Sequence, residues 1–216
     1  MAGDERLLDL AQWRARTAEL YAAVRGAPES GAAAACREYR RRRDEMFASH
    51  PQSPLDAKQK KAFRGLSWFP YDPALRFRVA VQPVAEAPAA IVDAPAPLFE
   101  LPEGPLRVRR FARVMIGAPG SALDGAALTL YWVEGYGGGL FLPFKDLTNG
   151  GKTYGGGRYL YDTIKGADLG AGNGALVLDF NYAYNPSCAY NPRWICPLPP
   201  RENALYAAVE AGELAF

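Results

Sequence analysis

The spacing of apolar residues divides the chain into a helical N-terminal part and a strand-rich remainder. Within residues 4–24, and again within 30–49, apolar side chains recur at intervals of three and four, which is typical of amphipathic helices. Arg43 lies on the apolar stripe of the second helix, so we expect either that it meets a carboxylate or that the stripe is shallow. A Ser-Pro-Leu-Asp motif then predicts a third, short helix to about residue 63, with Ser53 as its N-cap.

From Leu75 onward the apolar period changes to two, which indicates β-strands. The predicted strands are 75–82, short strands near Ile91 and Phe99, 106–116, 126–134, 140–144, 153–162 and 175–181. About eight short strands without intervening helices predict an antiparallel meander, closed as a barrel or folded as a sandwich. A short C-terminal helix is predicted over 201–214. The predicted fold class is therefore mostly β, α+β by content, with two to three N-terminal helices.

The length of 216 residues fits a single domain that needs neither a disulfide nor a metal for stability. Within it, we expect residues 1–52 to form a helical extension packed on the core and residues 53–216 to form the β-rich domain. No feature of the sequence specifies an oligomeric state.

Charge and cysteine content narrow the classes of partner and the compartment. A net charge of +2 argues against a nucleic-acid partner, and a basic run over 37–43 favours a solvated helix face over an anionic-surface site. No apolar run approaches the ~20 residues that span a bilayer, so no membrane partner is expected. The polar N-terminus does not resemble a signal peptide. Three cysteines in such a chain predict a cytoplasmic protein with reduced thiols.

Three blocks of sequence carry a resemblance to a known family. They are HPQSPL at 50–55 with FRGLSWFP at 63–70; LFLPFKDLTNGGKTYGGGRYL at 140–160; and DFNYAYNPSCAY at 179–190 with CPLPPREN at 196–203 and AGE at 211–213. On these blocks the chain resembles the bacterial and archaeal family called domain of unknown function 1684, over about residues 36–214. Lys145 stands where that family usually carries Arg. The resemblance implies no activity, cofactor or site residue.

Polar residues inside the predicted β-core form the candidate ligand site. The candidates are Asp146, Thr148, Tyr154 and Arg158 on one hairpin, Asp179 and Asn181 on the next strand, and Asn185 after it. Asp179 and Asn181 are two positions apart, so both should point to the same face of that strand. A guanidinium among such groups suits a carboxylate or another anion. Alternatively, Arg158 pairs with Asp146 or Asp179 and braces the sheet.

The sequence gives weaker evidence for catalytic residues and for a metal site. A thiol nucleophile needs a base, and the single histidine offers one candidate arrangement of Cys188 with His50 and Asp179. Inert thiols are the simpler interpretation. Paired Cys or His at short spacing are missing from the sequence, so no metal site is predicted, and the glycine runs do not match a P-loop. We expect no cofactor.

Three functional hypotheses follow. The favoured one is a binding domain for a small polar or anionic molecule near Arg158 and Asn181. The second is a hydrolase-like enzyme that uses His50, Asp179 and Cys188. The third is an interaction module, in which the basic N-terminal helices dock an acidic partner. This hypothesis predicts an apolar patch left exposed on helix 4–24.

Overall fold

The N-terminal part contains three helices that pack on the rest of the chain. The structure is a computed structural model that describes residues 2–84, 100–101, 104–105 and 107–216. Helix α1 spans Ala2–Gly26, α2 spans Ala32–Ser49 and α3 spans Ala57–Ala62, so the first two predicted helices are confirmed. The hydroxyl groups of Tyr21 on α1 and Tyr39 on α2 lie 3.1 Å apart, and both rings are buried. The two long helices are thus joined to each other inside the core.

The third helix begins later than predicted, and Ser53 is not its N-cap. Asp56 caps α3 instead: its carboxylate accepts from Gln59 N at 2.8 Å, and the Gln59 side chain accepts from Asp56 N at 2.8 Å. The Asp56–Gln59 pair supplies both halves of a capping box, which a lone serine cannot. Ser53 is buried in the preceding loop, where its hydroxyl donates to Phe47 O at 2.7 Å.

Within the described residues, ten strands form three antiparallel sheets. They are β1 (Arg76–Ala80), β2 (Gln82–Pro83), β3 (Glu100–Leu101), β4 (Gly104–Pro105), β5 (Val108–Ile116), β6 (Ala126–Val133), β7 (Gly139–Phe144), β8 (Arg158–Asp162), β9 (Ala171–Gly172) and β10 (Ala175–Asp179). The orders are β2-β5-β6-β7-β8, β1-β10-β9 and β3-β4. The fold is therefore mixed α+β with two main open sheets. Its described strands do not close the predicted barrel, because β2 and β8, at the two ends of the larger sheet, do not pair with each other. The strands predicted near Ile91 and Phe99 lie outside the described residues.

Both main sheets and both long helices contribute to one hydrophobic core. The cluster includes Tyr39 from α2, Leu178 from β10, Val114 from β5 and Leu142 from β7, all at most 2% exposed. Burial of such side chains is the main favourable term in folding. The helical segment is thus part of the same core as the strands.

Residues 201–214 do not form the predicted C-terminal helix. Beyond a short 3-10 turn at Arg201–Asn203, the chain runs extended and exchanges backbone hydrogen bonds with distant segments. Leu205 N donates to Lys145 O at 2.8 Å, and Glu213 N donates to Ala183 O at 2.8 Å. Burial alternates along this segment, since Leu205, Ala207 and Val209 are buried between exposed neighbours. The sequence itself shows no period of two here, because residues 204–209 are all apolar by type. The extended path follows from the long-range hydrogen bonds.

One long-range strand pairing positions the candidate site described below. Strand β1 pairs with β10 across about a hundred residues, with Arg76 opposite Asp179 and Arg78 opposite Val177. Arg76 and Arg78 share one face of β1, because side chains alternate along a strand.

The cap assignment is testable by substitution. Asp56→Ala should lower the free energy of unfolding by about 0.5–2 kcal/mol, because α3 loses its capping carboxylate. Lys58 lies in the same helix and is exposed, so Lys58→Ala should change the free energy of unfolding by less than about 0.5 kcal/mol. The measurement is the urea midpoint of each variant. Equal midpoints for the two variants would contradict the cap.

Candidate functional site

Groups of the protein bond both terminal nitrogens of the buried Arg158 guanidinium, whereas its Nε has no partner among the described residues. Arg158 begins β8, is 0% exposed, and donates from NH2 to Asp146 Oδ2 at 2.8 Å and to Val209 O at 2.9 Å. Its other terminal nitrogen donates to Ala211 O, and the ring of Phe144 lies 5.2 Å from the guanidinium carbon. Both terminal nitrogens are therefore occupied, and a ligand at this point would have to displace Asp146 or a backbone carbonyl.

The rest of the predicted hairpin site is also internally bonded. Asp146 Oδ1 accepts from Thr148 N at 2.8 Å, and the Thr148 hydroxyl lies 2.8 Å from that of Thr153. Tyr154 directs its hydroxyl away from Arg158 and toward Cys188 Sγ, at 3.6 Å. These contacts stabilise the turn between β7 and β8. They match the alternative in which Arg158 and Asp146 brace the sheet.

Asp179 and Asn181 lie at the end of the smaller sheet. Strand β10 ends at Asp179, and Asn181 belongs to the 3-10 turn Phe180–Tyr182 rather than to the predicted strand. Asp179 Oδ1 accepts from Asn181 N at 3.0 Å and from its side-chain amide at 2.8 Å. Asn181 also exchanges hydrogen bonds of 2.8 and 2.7 Å with the backbone of Asp72. Arg158 and Asn181 share no hydrogen-bond partner among the described residues.

Asn185 belongs to a third cluster, which ties the C-terminus to helix α2. Glu213, 1% exposed, lies 3.2 Å from Arg43 NH2 and accepts from Tyr190 OH and Asn185 N. The Asn185 amide also donates to Leu214 O at 2.7 Å. Burial raises the pKa of Glu213, and the Arg43 charge opposes that shift. Of the two alternatives for Arg43, the structure shows the carboxylate partner.

The three candidate catalytic residues lie in different surroundings. His50 ends helix α2, packs against Trp13 at 5.2 Å between ring centroids, and accepts at Nδ1 from Gln52 N at 3.1 Å. Cys188 contacts Tyr154 and Cys196, whereas Asp179 contacts Asn181 and Arg76. Among the described contacts, no hydrogen bond joins any two of the three. Burial lowers the pKa of His50.

A cavity of about 330 Å³ lies between the α1–α2 turn and the exposed face of the β1-β10-β9 sheet. Three arginines contribute to its walls, Arg25 from α1 and Arg76 and Arg78 from β1, together with the carboxylates of Glu29 and Asp179. The remaining walls come from small or apolar groups, including Val24, Ala27, Pro28, Ala32, Leu169, Gly170 and Val177.

The arginines of this cavity differ in how far their charges are compensated. Arg76 lies 3.6 Å from Asp179 Oδ2 and 3.3 Å from Glu29 Oε1, and Arg25 lies 3.5 Å from Asp168 Oδ2. Arg78 makes no hydrogen bond or ion pair with any residue that the structure describes. Burial raises the pKa of Asp179, and hydrogen bonds from Asn181 act in the opposite direction.

Sequence reasoning identified Asp179 but missed the arginines around it. The available signal was the spacing of Arg76 and Arg78, which places both side chains on the same strand face. Arg25 could not be found in this way, because its approach to the sheet depends on how α1 packs.

A second cavity, of about 80 Å³, lies beside the Glu213 cluster. Its walls include Arg43, Asp162, Lys165, Asn185 and Cys196. This volume is well below the roughly 300 Å³ at which pockets for small molecules begin. The larger cavity is therefore the better candidate for a metabolite-sized ligand.

In the described part of the chain, no three His, Cys, Asp or Glu side chains are grouped so that they could hold a metal ion. None of the described helices combines the length and apolarity needed to cross a bilayer.

Comparison with known proteins identified a family match and a similar structure. A family model described as "Protein of unknown function (DUF1684)" matches residues 61–214. The chain is also similar to an uncharacterized protein of Haloarcula marismortui, whose solution structure was determined by NMR. The two share 31% sequence identity with a TM-score of 0.53, and the match covers 82% of this chain and 91% of that one. No curated protein matches. Neither description states an activity, so function has to be argued from the site.

The structural role of Arg158 can be measured as stability. Arg158→Ala should lower the free energy of unfolding by about 3–5 kcal/mol, because it leaves the Asp146 carboxylate buried without its partner. The matched control is Arg110→Ala, which removes a partly exposed pair with Glu202 and should cost about 0–1 kcal/mol. Denaturant unfolding of both variants is the measurement. A cost for Arg158→Ala no larger than that of the control would refute this role.

His50 provides a pH-dependent test. Because its pKa is lowered from 6.5 by burial, its neutral form stabilises the fold, and that stability is lost as pH falls through the folded-state pKa. His50 is the only histidine, so its NMR titration is unambiguous and should have a midpoint below 6.5. The His50→Gln variant should lose less stability than wild type between about pH 7 and 5. A midpoint at or above 6.5 would contradict the burial.

Proposed function

Because the chain belongs to the DUF1684 family of proteins of unknown function, as its sequence blocks predicted, we propose its function from its own geometry. The protein binds a small anionic molecule in the cavity of about 330 Å³ between the α1–α2 turn and the smaller sheet. Arg76 and Arg78 are the principal ligand-binding residues, and Arg25 contributes from the opposite wall. This proposal keeps the ligand class expected from sequence and moves the site away from Arg158.

The observation that carries the proposal is the cluster of three arginines around one cavity of suitable size. A guanidinium presents a planar set of donors that matches a carboxylate or phosphate group. Two guanidinium groups on one strand face can hold one anionic group between them. The cavity volume lies at the lower end of the range for small-molecule sites, which favours a compact metabolite.

The availability of these arginines supports the same assignment. Arg78 is exposed and has no partner among the described residues, so an anion can bind it without displacing a protein group. Arg76 is 35% exposed in its side chain, and its contacts with Glu29 and Asp179 are long, at 3.3 and 3.6 Å. Exposed pairs of this kind contribute little stability, so exchanging one for a ligand anion costs little. Arg158, by contrast, is buried with both terminal nitrogens bonded.

The other two hypotheses have less support in the contacts. A hydrolase-like reaction would need His50, Cys188 and Asp179 to meet, and each has different neighbours. An interaction through the N-terminal helix is favoured by one observation, the exposure of Leu7 and Leu8 on α1 at 66% and 71%. Two adjacent leucines are a small apolar patch, so this remains the second candidate.

Binding is testable by thermal shift with defined anions. Inorganic phosphate, pyrophosphate and citrate are the probes, each titrated at low ionic strength. A ligand at one hundred times its dissociation constant should stabilise the fold by about 2.7 kcal/mol. The Arg78→Ala variant should lose most of the thermal shift while keeping its stability without ligand, because the Arg78 side chain makes no hydrogen bond or ion pair with any described residue.

The matched control is Arg109→Ala, which removes the same charge from an exposed strand position. Arg109 lies on β5 opposite Trp132, in the other main sheet and away from the cavity walls. Its thermal shift should equal that of wild type. If the anion-induced thermal shift decreased equally in Arg78→Ala and Arg109→Ala, the effect would be one of general charge and the proposed site would be refuted. The absence of any thermal shift with all three anions would refute it as well.

A further inference from the structure

Cys188 and Cys196 lie side by side in the loop that follows β10. The backbone N–H of Cys188 donates to Cys196 Sγ at 3.2 Å, although the two residues are eight positions apart. The hydroxyl of Tyr154 approaches Cys188 Sγ at 3.6 Å. Both cysteines are partly exposed, so a small reagent can reach them. The loop is therefore folded back on itself with its two sulfur atoms close together.

We propose that Cys188 and Cys196 are an oxidation site that forms an intramolecular disulfide when the protein meets a hydroperoxide. The Cys188 thiolate attacks one peroxide oxygen; the S–O bond forms as the O–O bond breaks, leaving a sulfenic acid and, with a proton, water. The Cys196 sulfur then attacks the Cys188 sulfur, and the hydroxyl group leaves as water. In total, two thiols and one hydrogen peroxide give one disulfide and two water molecules.

The surroundings of the two thiols set which sulfur reacts first. A side-chain hydrogen bond between the two thiols lowers the pKa of Cys188 to about 6. The same thiol–thiol bond, together with burial, raises the pKa of Cys196, while the backbone N–H of Cys188 opposes that rise. The thiolate is the nucleophile, so Cys188 is the attacking residue and Cys196 the resolving one. The Tyr154 hydroxyl is a further donor that stabilises the Cys188 thiolate.

The third thiol provides an internal control for this assignment. Cys36 on α2 is 0% exposed and contacts Asn181 O and Arg40 rather than the loop. Burial raises its pKa to about 11, so it carries almost no thiolate at neutral pH. A reagent that selects thiolates should therefore distinguish the loop pair from Cys36.

The experiment counts free thiols before and after oxidation. Reduced protein is treated with a small excess of hydrogen peroxide, quenched, denatured and alkylated, and its intact mass is measured. The number of labels should fall from three to one, with a monomeric mass lower by two hydrogens before labelling. Peptide mapping should show Cys188 linked to Cys196, and dithiothreitol should restore all three labels.

Two variants separate the steps. In the Cys36→Ser variant, the number of alkylation labels should fall from two before peroxide treatment to none after it, because both remaining thiols enter the disulfide. Cys196→Ser should stop at the sulfenic acid, which dimedone traps on Cys188. Retention of three labels in wild type, a disulfide that involves Cys36, or a disulfide only between two chains would overturn the proposal. None of these results depends on the anion site, which uses different residues.

Discussion

The buried ion pair between Arg158 and Asp146 fastens the C-terminal segment to the larger sheet. A buried guanidinium is costly unless anionic and carbonyl oxygens replace the lost water. Here one carboxylate comes from the turn after β7, and the carbonyls come from Val209 and Ala211. Asp146 in turn accepts from Val209 N at 3.3 Å. The end strand β8, its preceding turn and the extended C-terminal segment therefore form one unit.

A second buried pair extends this unit to the helices. Glu213 lies two residues after Ala211, and its carboxylate pairs with Arg43 on α2. Its backbone N–H donates a hydrogen bond to the carbonyl oxygen of Ala183, which lies after β10. Asn203, earlier in the C-terminal segment, attaches that segment to the larger sheet. Its side-chain amide forms hydrogen bonds with the backbone of Thr129 on β6 and of Pro143 on β7. The C-terminal segment thus connects both sheets and α2, although it belongs to no regular element.

The distinction between bonded and available charges underlies the functional proposal. Arg158 is fully buried and the Arg43 side chain is only 11% exposed, and each pairs with a buried carboxylate, so they hold the fold together. Arg76 and Arg78 lie on an exposed strand face beside a cavity, with long contacts or none among the described residues. The thiol pair forms a separate chemical feature, because no hydrogen bond or ion pair among the described residues joins its loop to these two arginines. Charge alone does not distinguish these groups; burial and partners do.

Local sequence determined the elements whose signals are local. The apolar periods of three to four and of two predicted α1, α2 and most strands, and the position of Arg43 on an apolar stripe indicated its carboxylate partner as one of two alternatives. Tertiary structure decided what depends on distant pairing: the extended path of 205–214, the turn at Asn181, and the meeting of Arg25 with Arg76 and Arg78. These outcomes depend on hydrogen bonds and packing between residues far apart in sequence. A local pattern of apolar and polar residues does not specify which distant segments will pair.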